Sequence, residues 1–388
     1  MSGIKTELEQ QNAANYTPNN NLAPLPPSVD IETRAILRRA IAANRALADL
    51  KNKADHLSNQ DILVSSIALT EARDSSEIEN IVTTADLLYR ADITPDTMLD
   101  PNTKEIRSYN RALWHGMEMI GKRPLSTNIF ISIVQEIKQN TAGIRNIPGT
   151  VLKNPITNEI VYAPPVGENI IREKLKNLEN FLYQPEYAEI DPLIKLAVMH
   201  YQFEAIHPFM DGNGRTGRII NILWLVQEKL LNRPILFLSK YFLNHREEYY
   251  NGLRNVTSNS EWEKWILYIL DAVEQTAHNT RELIDRIITA RNLCKDDLQK
   301  YFSKIYSLDL VETIFSAPYF RMENYLHKNP TVSRQTAAKY LHLLCEPYKR
   351  ADGTTTQMLK LFRQGRENIY FNKAMFDILN FTDLSPGS

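Results

Sequence analysis

This chain of 388 residues has few cysteines, almost no net charge and no long apolar run. Its two cysteines, Cys294 and Cys345, lie far apart and outside any Cys/His spacing typical of a chelate, which argues against a disulfide scaffold and a zinc site. The formal net charge of −1 provides no overall field that would attract nucleic acid or a membrane surface. No apolar run approaches the ~20 residues of a membrane span, and the N-terminus lacks the apolar segment of a secretory signal. The sequence therefore predicts a reduced, cytoplasmic protein without contact to a membrane.

The segment from His207 to Arg218 (HPFMDGNGRTGR) is the most informative part of the chain. Gly212-Asn213-Gly214 can turn successive backbone N–H groups toward one point and so form an anion-binding nest. The apolar run from Ile219 to Val226 predicts a helix, so that the nest would lie at the positive helix end. Arg215 and Arg218 share the first turn of this helix and can reach the same phosphate groups.

Two further side chains of this segment suit chemistry on a metal-bound polyphosphate. Asp211 offers the hard oxygen that Mg²⁺ prefers, usually through one or two carboxylates together with phosphate oxygens. His207 has an ordinary pKa of about 6.5, which suits a general base. A glycine-rich turn before a helix, or a single histidine, more often has only a structural role. Their combination in one short segment favours a site that holds a metal-bound nucleotide beside a base.

At every signature position this segment resembles the loop of the Fic (filamentation induced by cAMP) family, His-x-Phe-x-Asp/Glu-Gly-Asn-Gly-Arg-x-x-Arg. The resemblance implies that His207 is the base that activates a target hydroxyl and that Asp211 binds Mg²⁺. Phe209 would pack the loop onto the core. The other residues implied in nucleotide binding are Gly212, Asn213 and Gly214 at the α- and β-phosphates, Arg215 and Arg218 at the β/γ end, and Thr216 and Gly217 between them.

Fic enzymes transfer AMP from ATP to a Ser, Thr or Tyr hydroxyl of a protein. The resemblance therefore implies a Mg²⁺-dependent protein adenylyltransferase that uses ATP and modifies a target protein and itself. A divergent branch, the Doc kinases, carries a basic residue in place of the second glycine and transfers phosphate instead. Gly214 is intact here, which favours AMP transfer.

A second motif, Ser75 to Asn80 (SSEIEN), allows two interpretations. Ser76 and Glu79 fit a capping box, which would open a helix from Ile78 to Leu88. The segment also resembles the Fic inhibitory motif Ser/Thr-x-x-x-Glu-Gly/Asn. The motif positions are filled by Ser75, Glu79 and Asn80.

In the Fic subclass with an N-terminal inhibitory helix, the glutamate of this motif contacts the second signature arginine and takes the place of the γ-phosphate. A pair between Glu79 and Arg218 would remove the guanidinium that should orient the γ-phosphate. ATP could still bind, with its α-phosphorus out of line for attack. We therefore expect autoinhibition by Glu79. An alternative is a bifunctional enzyme in which Glu79 also orients a water molecule to remove AMP from modified targets.

The spacing of apolar residues predicts a mostly α fold. Helices are expected from about residue 31 and at about 61–72, 76–91, 102–120, 126–140, 167–183, 191–206, 215–229, 239–256, 260–290 and 291–303. In 147–165, by contrast, apolar residues flank a turn-rich segment and indicate a β-hairpin. Fic domains are helical bundles with such a hairpin, the flap, upstream of the signature loop, and the resemblance implies that a target protein docks on its edge.

A chain of this length should hold two or three folded domains. Residues 1–30 are polar and Pro-rich and should form an extended tail draped over the body. The predicted domains are an N-terminal helical domain with the inhibitory helix (31–120), a Fic catalytic core (121–295) and a winged-helix-like C-terminal domain (305–388).

The C-terminal region predicts helices at Leu310–Ser316, Arg321–His327 and Ser333–Leu344 and then a hairpin over 357–372. This order is typical of a winged helix, with Ser333 as the N-cap of its recognition helix. From residue 295 onward, 13 Lys and Arg stand against 10 Asp and Glu, which is less basic than a usual DNA reader. Protein contacts or a homodimer are therefore preferred for this module, and a nucleotide-sensing DNA-binding regulator is the alternative.

The sequence indicates less clearly which residues would contact the adenine. Tyr241, Tyr249 and Tyr250 follow the signature helix, and an aromatic ring there could border the purine. Tyr249 is the residue expected to do so, although a tyrosine at helical spacing is more often part of the core.

Overall fold

The computed structural model describes residues 17–55, 60–91, 93–153, 160–364 and 367–380. Within these residues the fold is mostly α, as predicted, with short strands. The helices are α1 (Arg34–Asp55), α2 (Gln60–Ile78), α3 (Ala85–Ala91), α4 (Pro101–Ile120), α5 (Thr127–Lys138), α6 (Glu168–Tyr183), α7 (Pro192–Ile206), α8 (Asn213–Gln227), α9 (Leu238–Asn244), α10 (Arg246–Asn259), α11 (Trp262–Tyr301), α12 (Leu308–Ile314), α13 (Met322–Lys328), α14 (Arg334–Leu343) and α15 (Lys373–Asn380). The strands are β1 (Leu152–Lys153), β2 (Ile160–Tyr162), β3 (Tyr319–Arg321), β4 (Tyr348–Lys349), β5 (Thr355–Thr356), β6 (Lys360–Gln364) and β7 (Glu367–Phe371).

The chain forms two compact units whose segments alternate along the sequence. The first unit consists of the residues up to Ala48, Asp74–Ile81 and Ser108–Ala277. The second consists of Asp49–Arg73, Val82–Arg107 and the residues from His278 onward. The region 31–120 is thus divided between the two units.

The helices α7 and α8 form the centre of the first unit. Every residue of α7 after Pro192 is buried, and α8 is buried from Arg215 to Leu225. A helix that is buried on all faces belongs to the interior of a protein. The short loop that joins α7 to α8 carries residues 207–212 and therefore begins and ends on rigid, central elements.

The hairpin predicted within 147–165 is present in the first unit. β1 and β2 are antiparallel, with Leu152 opposite Tyr162 and Lys153 opposite Ile160. The predicted turn, residues 154–158, lies outside the described residues.

The described part of the N-terminal tail, residues 17–30, forms no helix or strand and belongs to the first unit. The N–H of Asn19 donates to the carbonyl of Ala163 over 2.9 Å. The backbone of Leu25 exchanges hydrogen bonds of 2.7 and 3.0 Å with the side-chain amide of Asn177. This segment therefore lies beside the base of the flap. Residues 1–16 of the predicted tail lie outside the described residues.

The helix predicted over 76–91 is not present as one element. α2 continues to Ile78, and α3 begins several residues beyond Glu79. The capping box at Ser76 and Glu79, and the helix Ile78–Leu88 that it would open, are therefore wrong.

Two further boundaries differ from the prediction. The helix expected over 239–256 is divided at His245. The helices expected over 260–290 and 291–303 are one helix of 40 residues, α11, because no glycine or proline interrupts this stretch. Among the described residues, neither this helix nor any other is long and apolar enough to cross a membrane.

In the second unit, the C-terminal residues form the predicted winged-helix-like module. The helices α12, α13 and α14 precede the hairpin β6–β7, and β3 adds a third antiparallel strand in the order β3-β7-β6. Ser333 caps α14, since its Oγ accepts a hydrogen bond of 3.1 Å from the N–H of Thr336. The hairpin turn at 365–366 lies outside the described residues.

Candidate active site

The loop between α7 and α8 begins and ends with left-handed backbone. His207 follows α7 with φ 50° and ψ 59°, and Gly212 precedes α8 with φ 81°. A β-carbon at Gly212 would also lie 3.3 Å from Val134 Cγ2, so both the backbone and its surroundings favour glycine. The N–H groups of the first turn of α8, which begins at Asn213, have no acceptor within the helix. This geometry puts the predicted anion nest at the positive end of a buried helix.

The side chain of Asn213 holds the loop from inside. Its Oδ1 accepts a hydrogen bond of 2.8 Å from the N–H of Phe209, and its Nδ2 donates to the Phe209 carbonyl over 2.7 Å. The Phe209 ring is buried, with its centroid 6.3 Å from that of Phe203. Phe209 therefore anchors the loop on the core, as the resemblance implied. Asn213 shapes the loop through its side chain, and its backbone N–H belongs to the first turn of α8.

His207 is neutral in this environment. Desolvation and then the positive charge of Arg145 lower its pKa to about 4, while Glu79 and Asp211 act in the opposite direction. At neutral pH the imidazole therefore carries no charge, which is the form that can accept a proton.

The second signature arginine is paired with the predicted inhibitory glutamate. Arg218, whose side chain is 1% exposed, donates from Nη2 to Glu79 Oε1 over 2.9 Å. It also donates from Nε to Ser75 Oγ and from Nη2 to the Ser75 carbonyl, both over 2.8 Å. Desolvation opposes ionisation of Glu79, but the charge and hydrogen bond of Arg218, together with the charge of Arg215, lower the pKa of this carboxyl. Glu79 is therefore an ionised carboxylate held against Arg218.

The Glu79 carboxylate also lies directly against the nest. A β-carbon at Gly214 would be 2.3 Å from Glu79 Oε1 and 3.0 Å from Arg218 Nη1. Only glycine leaves room for this approach, because a β-carbon this close would have to displace the carboxylate. The carboxylate therefore fills the space beside the backbone of the second signature glycine.

Glu79 occupies the C-cap of α2 and does not lie inside a new helix. Asn80 has φ 62°, and its N–H donates to the carbonyl of Glu77 over 2.9 Å. The N–H of Ile81 donates to the carbonyl of Ser76 over 3.0 Å. These two bonds around a left-handed residue form a Schellman motif. The predicted capping box is wrong because Asn80, a residue that adopts this backbone readily, ends the helix first.

Arg246, which no motif in the sequence singles out, holds the same turn. It is the first residue of α10, and its Nη2 donates to the Ile78 carbonyl over 2.7 Å and lies 3.4 Å from Asn80 Oδ1. Carbonyls in the last turn of a helix lack helical partners, and a cation suits the negative helix end. Arg246 and Arg218 thus both stabilise the helix end that carries Glu79.

Asp211, the predicted Mg²⁺ ligand, has a side chain that is 65% exposed. Its Oδ2 lies 2.6 Å from Lys138 Nζ, and its Oδ1 accepts a hydrogen bond of 2.6 Å from the N–H of Gly212. Desolvation opposes ionisation here too, but the hydrogen bond and charge of Lys138 lower the pKa of Asp211. Within the described ranges, no group of three or more His, Cys, Asp and Glu side chains could hold a metal. An exposed single carboxylate beside a phosphate nest fits Mg²⁺ that is shared with phosphate oxygens.

The other predicted nucleotide ligands on α8 are buried. Arg215 Nη2 lies 3.8 Å from Asp211 Oδ1, and Thr216 is fully buried. A β-carbon at Gly217 would lie 2.3 Å from Glu204 Oε1 on α7. Gly217 therefore permits the close approach of α7 and α8, a packing role that the sequence did not indicate. Desolvation raises the pKa of Glu204, the buried carboxyl at this contact, to about 7.

Tyr249 lies in the aromatic core of the first unit and is 2% exposed. Its hydroxyl shares a hydrogen bond of 3.0 Å with His200 Nε2, and its ring centroid is 4.9 Å from that of Phe242. This position agrees with the core role that was the alternative to contact with the purine.

These features define a class of protein. The site is an anion nest at the start of a buried helix, next to a neutral histidine, with a carboxylate from an upstream helix held on one of its arginines. Each of these parts matches the signature that the sequence carries.

Comparison with known families identifies this class. The Fic/DOC family N-terminal model matches residues 37–118, and the Fic/DOC family model matches residues 124–225. A third model, the C-terminal domain of SoFic-like protein adenylyltransferases, matches residues 291–375. The chain belongs to the Fic/DOC family.

Curated relatives carry the same family name at low identity. Protein adenylyltransferase fic-1 of Caenorhabditis elegans is 28% identical over 134 residues, which cover 34% of this chain and 24% of the relative. Protein adenylyltransferase Fic of Drosophila ananassae is 26% identical over 249 residues, which cover 60% of this chain and 47% of the relative. The chain thus spans less than half the length of these relatives.

A solved structure shows the same fold. The crystal structure of a Fic family protein from Desulfovibrio desulfuricans G20 superposes with a TM-score of 0.52 at 16% sequence identity. The match covers 92% of this chain and 98% of that chain.

Proposed function

We propose that this protein is a Mg²⁺-ATP-dependent adenylyltransferase that moves AMP to a Ser, Thr or Tyr hydroxyl of a target protein and of itself, and that Glu79 restrains the reaction. The observation that carries the proposal is the position of the Glu79 carboxylate. It lies against Gly214 of the nest, pairs with Arg218 and affects the pKa of His207. A phosphate group in that position would meet a nest, a guanidinium and a base. The names of the curated relatives agree with this activity.

Several residues around the Glu79 carboxylate can each contribute to AMP transfer. The backbone N–H groups at the start of α8 would bind the α- and β-phosphates, and Arg215 and Arg218 the β/γ end. Neutral His207 would take the proton of the target hydroxyl while the hydroxyl oxygen attacks the α-phosphorus. The bond from the α-phosphorus to the bridging oxygen breaks, and pyrophosphate leaves. Mg²⁺ bound at Asp211 would neutralise charge on the phosphates.

Glu79 would restrain this reaction by alignment and by charge. Its carboxylate engages the Nη2 of Arg218, and an anion on the same guanidinium competes with the γ-phosphate for that contact. A triphosphate that enters beside Glu79 must shift, which moves the α-phosphorus out of line with the attacking hydroxyl.

The flap is the proposed docking site for the target. The Tyr162 hydroxyl donates to the carbonyl of Ala205 over 2.9 Å, which ties β2 to the end of α7 just before His207. A target segment paired with the flap edge would therefore present its hydroxyl near the base without any demand on its sequence.

The position of the label in ATP tests the type of transfer. In the Glu79→Gly variant, ATP labelled at the α-phosphate should label the protein or a target, because the whole AMP moiety moves. ATP labelled at the γ-phosphate should leave no label, since that phosphate departs with pyrophosphate. Mass spectrometry should show an AMP adduct. Label that arrives only from the γ-phosphate would contradict AMP transfer and indicate a Doc-like kinase.

Arg246→Ala tests whether the turn at the end of α2 controls the restraint. Its loss frees the Ile78 carbonyl and loosens the turn that presents Glu79. A hydrogen bond contributes about 0.5–1.5 kcal/mol net, so AMP transfer should rise by roughly two- to tenfold. The rise should vanish in the Glu79→Gly background, where nothing remains to release.

Arg254 is a matched control for this variant because it is an exposed arginine on the same helix, α10. Arg254→Ala should leave the rate unchanged. If Arg246→Ala raised the rate equally with and without Glu79, Arg246 would act on another step.

A further inference from the structure

Arg145, in the segment between α5 and the flap, is buried and bonds to three backbone carbonyls. Its side chain donates from Nε to the His207 carbonyl over 2.7 Å and from Nη2 to the Ile206 carbonyl over 3.3 Å. Nη2 also donates to the carbonyl of Pro165, where the chain leaves the flap. In addition, the backbone N–H of Arg145 donates to the Pro208 carbonyl over 2.9 Å.

These bonds converge on a backbone that needs support. His207 adopts φ 50°, a left-handed conformation that residues other than glycine visit rarely. This backbone conformation sets the direction in which the imidazole projects, because the side chain is attached at the left-handed residue. Arg145 bonds the carbonyls on both sides of this residue, at Ile206 and Pro208, as well as the carbonyl of His207 itself.

We propose that Arg145 is a positioning residue for AMP transfer, which fixes the left-handed backbone of His207 and ties it to the flap at Pro165. The catalytic base and the surface that receives the target then share one anchor, so that a docked hydroxyl meets the imidazole at a fixed distance. This inference rests on the proposed function of His207 as the base.

The charge of Arg145 provides a second, separable effect. Charged groups shift the pKa of His207 in both directions: Arg145 lowers it, whereas Glu79 and Asp211 raise it. Loss of the Arg145 charge should therefore raise the pKa of His207 above its value of about 4. Activity that needs the neutral imidazole is present above this pKa and lost as the pH falls through it. The acid limb of the pH profile should thus move to higher pH.

Two substitutions separate geometry from charge, and both are made in the Glu79→Gly background so that the restraint does not mask the result. Arg145→Lys keeps the charge but cannot bond three carbonyls from one rigid plane. Arg145→Met removes the charge as well. We expect kcat to fall about 100-fold in both variants, since a misplacement of roughly 1 Å at a reacting group has an effect of that size.

Further measurements distinguish positioning from a loss of folded protein. ATP affinity, measured by calorimetry, should stay at the parent value because the nest and the signature arginines are untouched. The acid limb of kcat/KM should shift upward in Arg145→Met and stay in place in Arg145→Lys. The imidazole resonance of His207, assigned by comparison with His207→Ala, should titrate at higher pH in Arg145→Met without any nucleotide present.

The inference would be overturned if both variants kept the parent kcat and acid limb. It would also be overturned if kcat, ATP affinity and thermal stability all fell together while the His207 titration stayed at the parent pH. If the Glu79→Gly parent itself transferred no AMP, the proposed function would fail, and the His207 titration alone would then decide whether Arg145 controls this histidine.

Discussion

Replacing His207 by alanine should lower the rate of AMP transfer by about 10²–10⁴-fold, the range that a positioned general base contributes. The comparison is made in the Glu79→Gly background, with label from the α-phosphate of ATP as the measurement. ATP affinity should change little, because the nest and the arginines lie on α8 and the histidine lies at the end of α7. The loss should therefore appear in kcat.

The pH dependence of the transfer rate provides a second test of His207. Because the pKa of His207 is lowered to about 4, the imidazole stays neutral from alkaline pH down to about pH 5. Removal of Glu79 takes away a charge that raises this pKa, so transfer by the Glu79→Gly protein should be nearly constant over that range with respect to this group and should fall only at about pH 4 or below. A limb near the ordinary value of about 6.5 would contradict the buried, Arg145-flanked environment.

His115 supplies a matched control for the histidine substitution. It belongs to the first unit, and its Nε2 shares a hydrogen bond of 2.7 Å with Ser132 Oγ on α5. His115→Ala should leave the rate of transfer unchanged. Equal losses for His115→Ala and His207→Ala would show that the rate reports the fold and not the base.

Removing the carboxylate of Glu79 should raise the rate about tenfold to a hundredfold. A charge-assisted hydrogen bond contributes on the order of 1.5–3 kcal/mol, which corresponds to this range if the pair with Arg218 is what opposes the productive pose. Glu79→Asp retracts the carboxylate by one methylene and weakens the pair without removing charge. Initial rates should therefore be highest for Glu79→Gly, lower for Glu79→Asp and lowest for the wild-type protein.

Arg218→Ala separates the two roles of the arginine. It loses the same contact with Glu79, but we expect it to be nearly inactive because Arg218 would also hold the γ-phosphate. If Arg218→Ala were as active as Glu79→Gly, the arginine would only hold Glu79 in the site and would not bind the γ-phosphate. Glu77→Gln is the matched control, since it removes a neighbouring carboxylate from the same helical turn without adding a helix-weakening glycine. It should not raise the rate.

The signature loop was legible in the sequence because its parts are neighbours in the chain. A nest needs consecutive N–H groups, and a left-handed residue before a helix favours glycine, so Gly212 and Gly214 carry local information. The flap and the winged-helix-like module were predicted for the same reason, since hairpins and short helices follow from local patterns.

The position of Glu79 at a helix end could not be predicted from local sequence alone. Its motif predicts a contact with Arg218, 139 residues away, but the same residues also fit the start of a helix, whereas Glu79 lies at the end of one. The capping box was a valid local alternative, and nothing local told it apart from a helix end. The end of α2 is stabilised by Arg218 and Arg246, which bond its last carbonyls from distant parts of the chain.

The sequence by itself determined the family and the mostly α fold and predicted the roles of residues 207–218, because these depend on residue types at short spacing. Only the tertiary structure showed that Arg145 supports His207 and that Lys138 pairs with Asp211. It alone also showed that Gly217 makes room for Glu204. These contacts join side chains to groups on other elements, and hydrogen bonds and close approaches of that kind arise only when the helices pack.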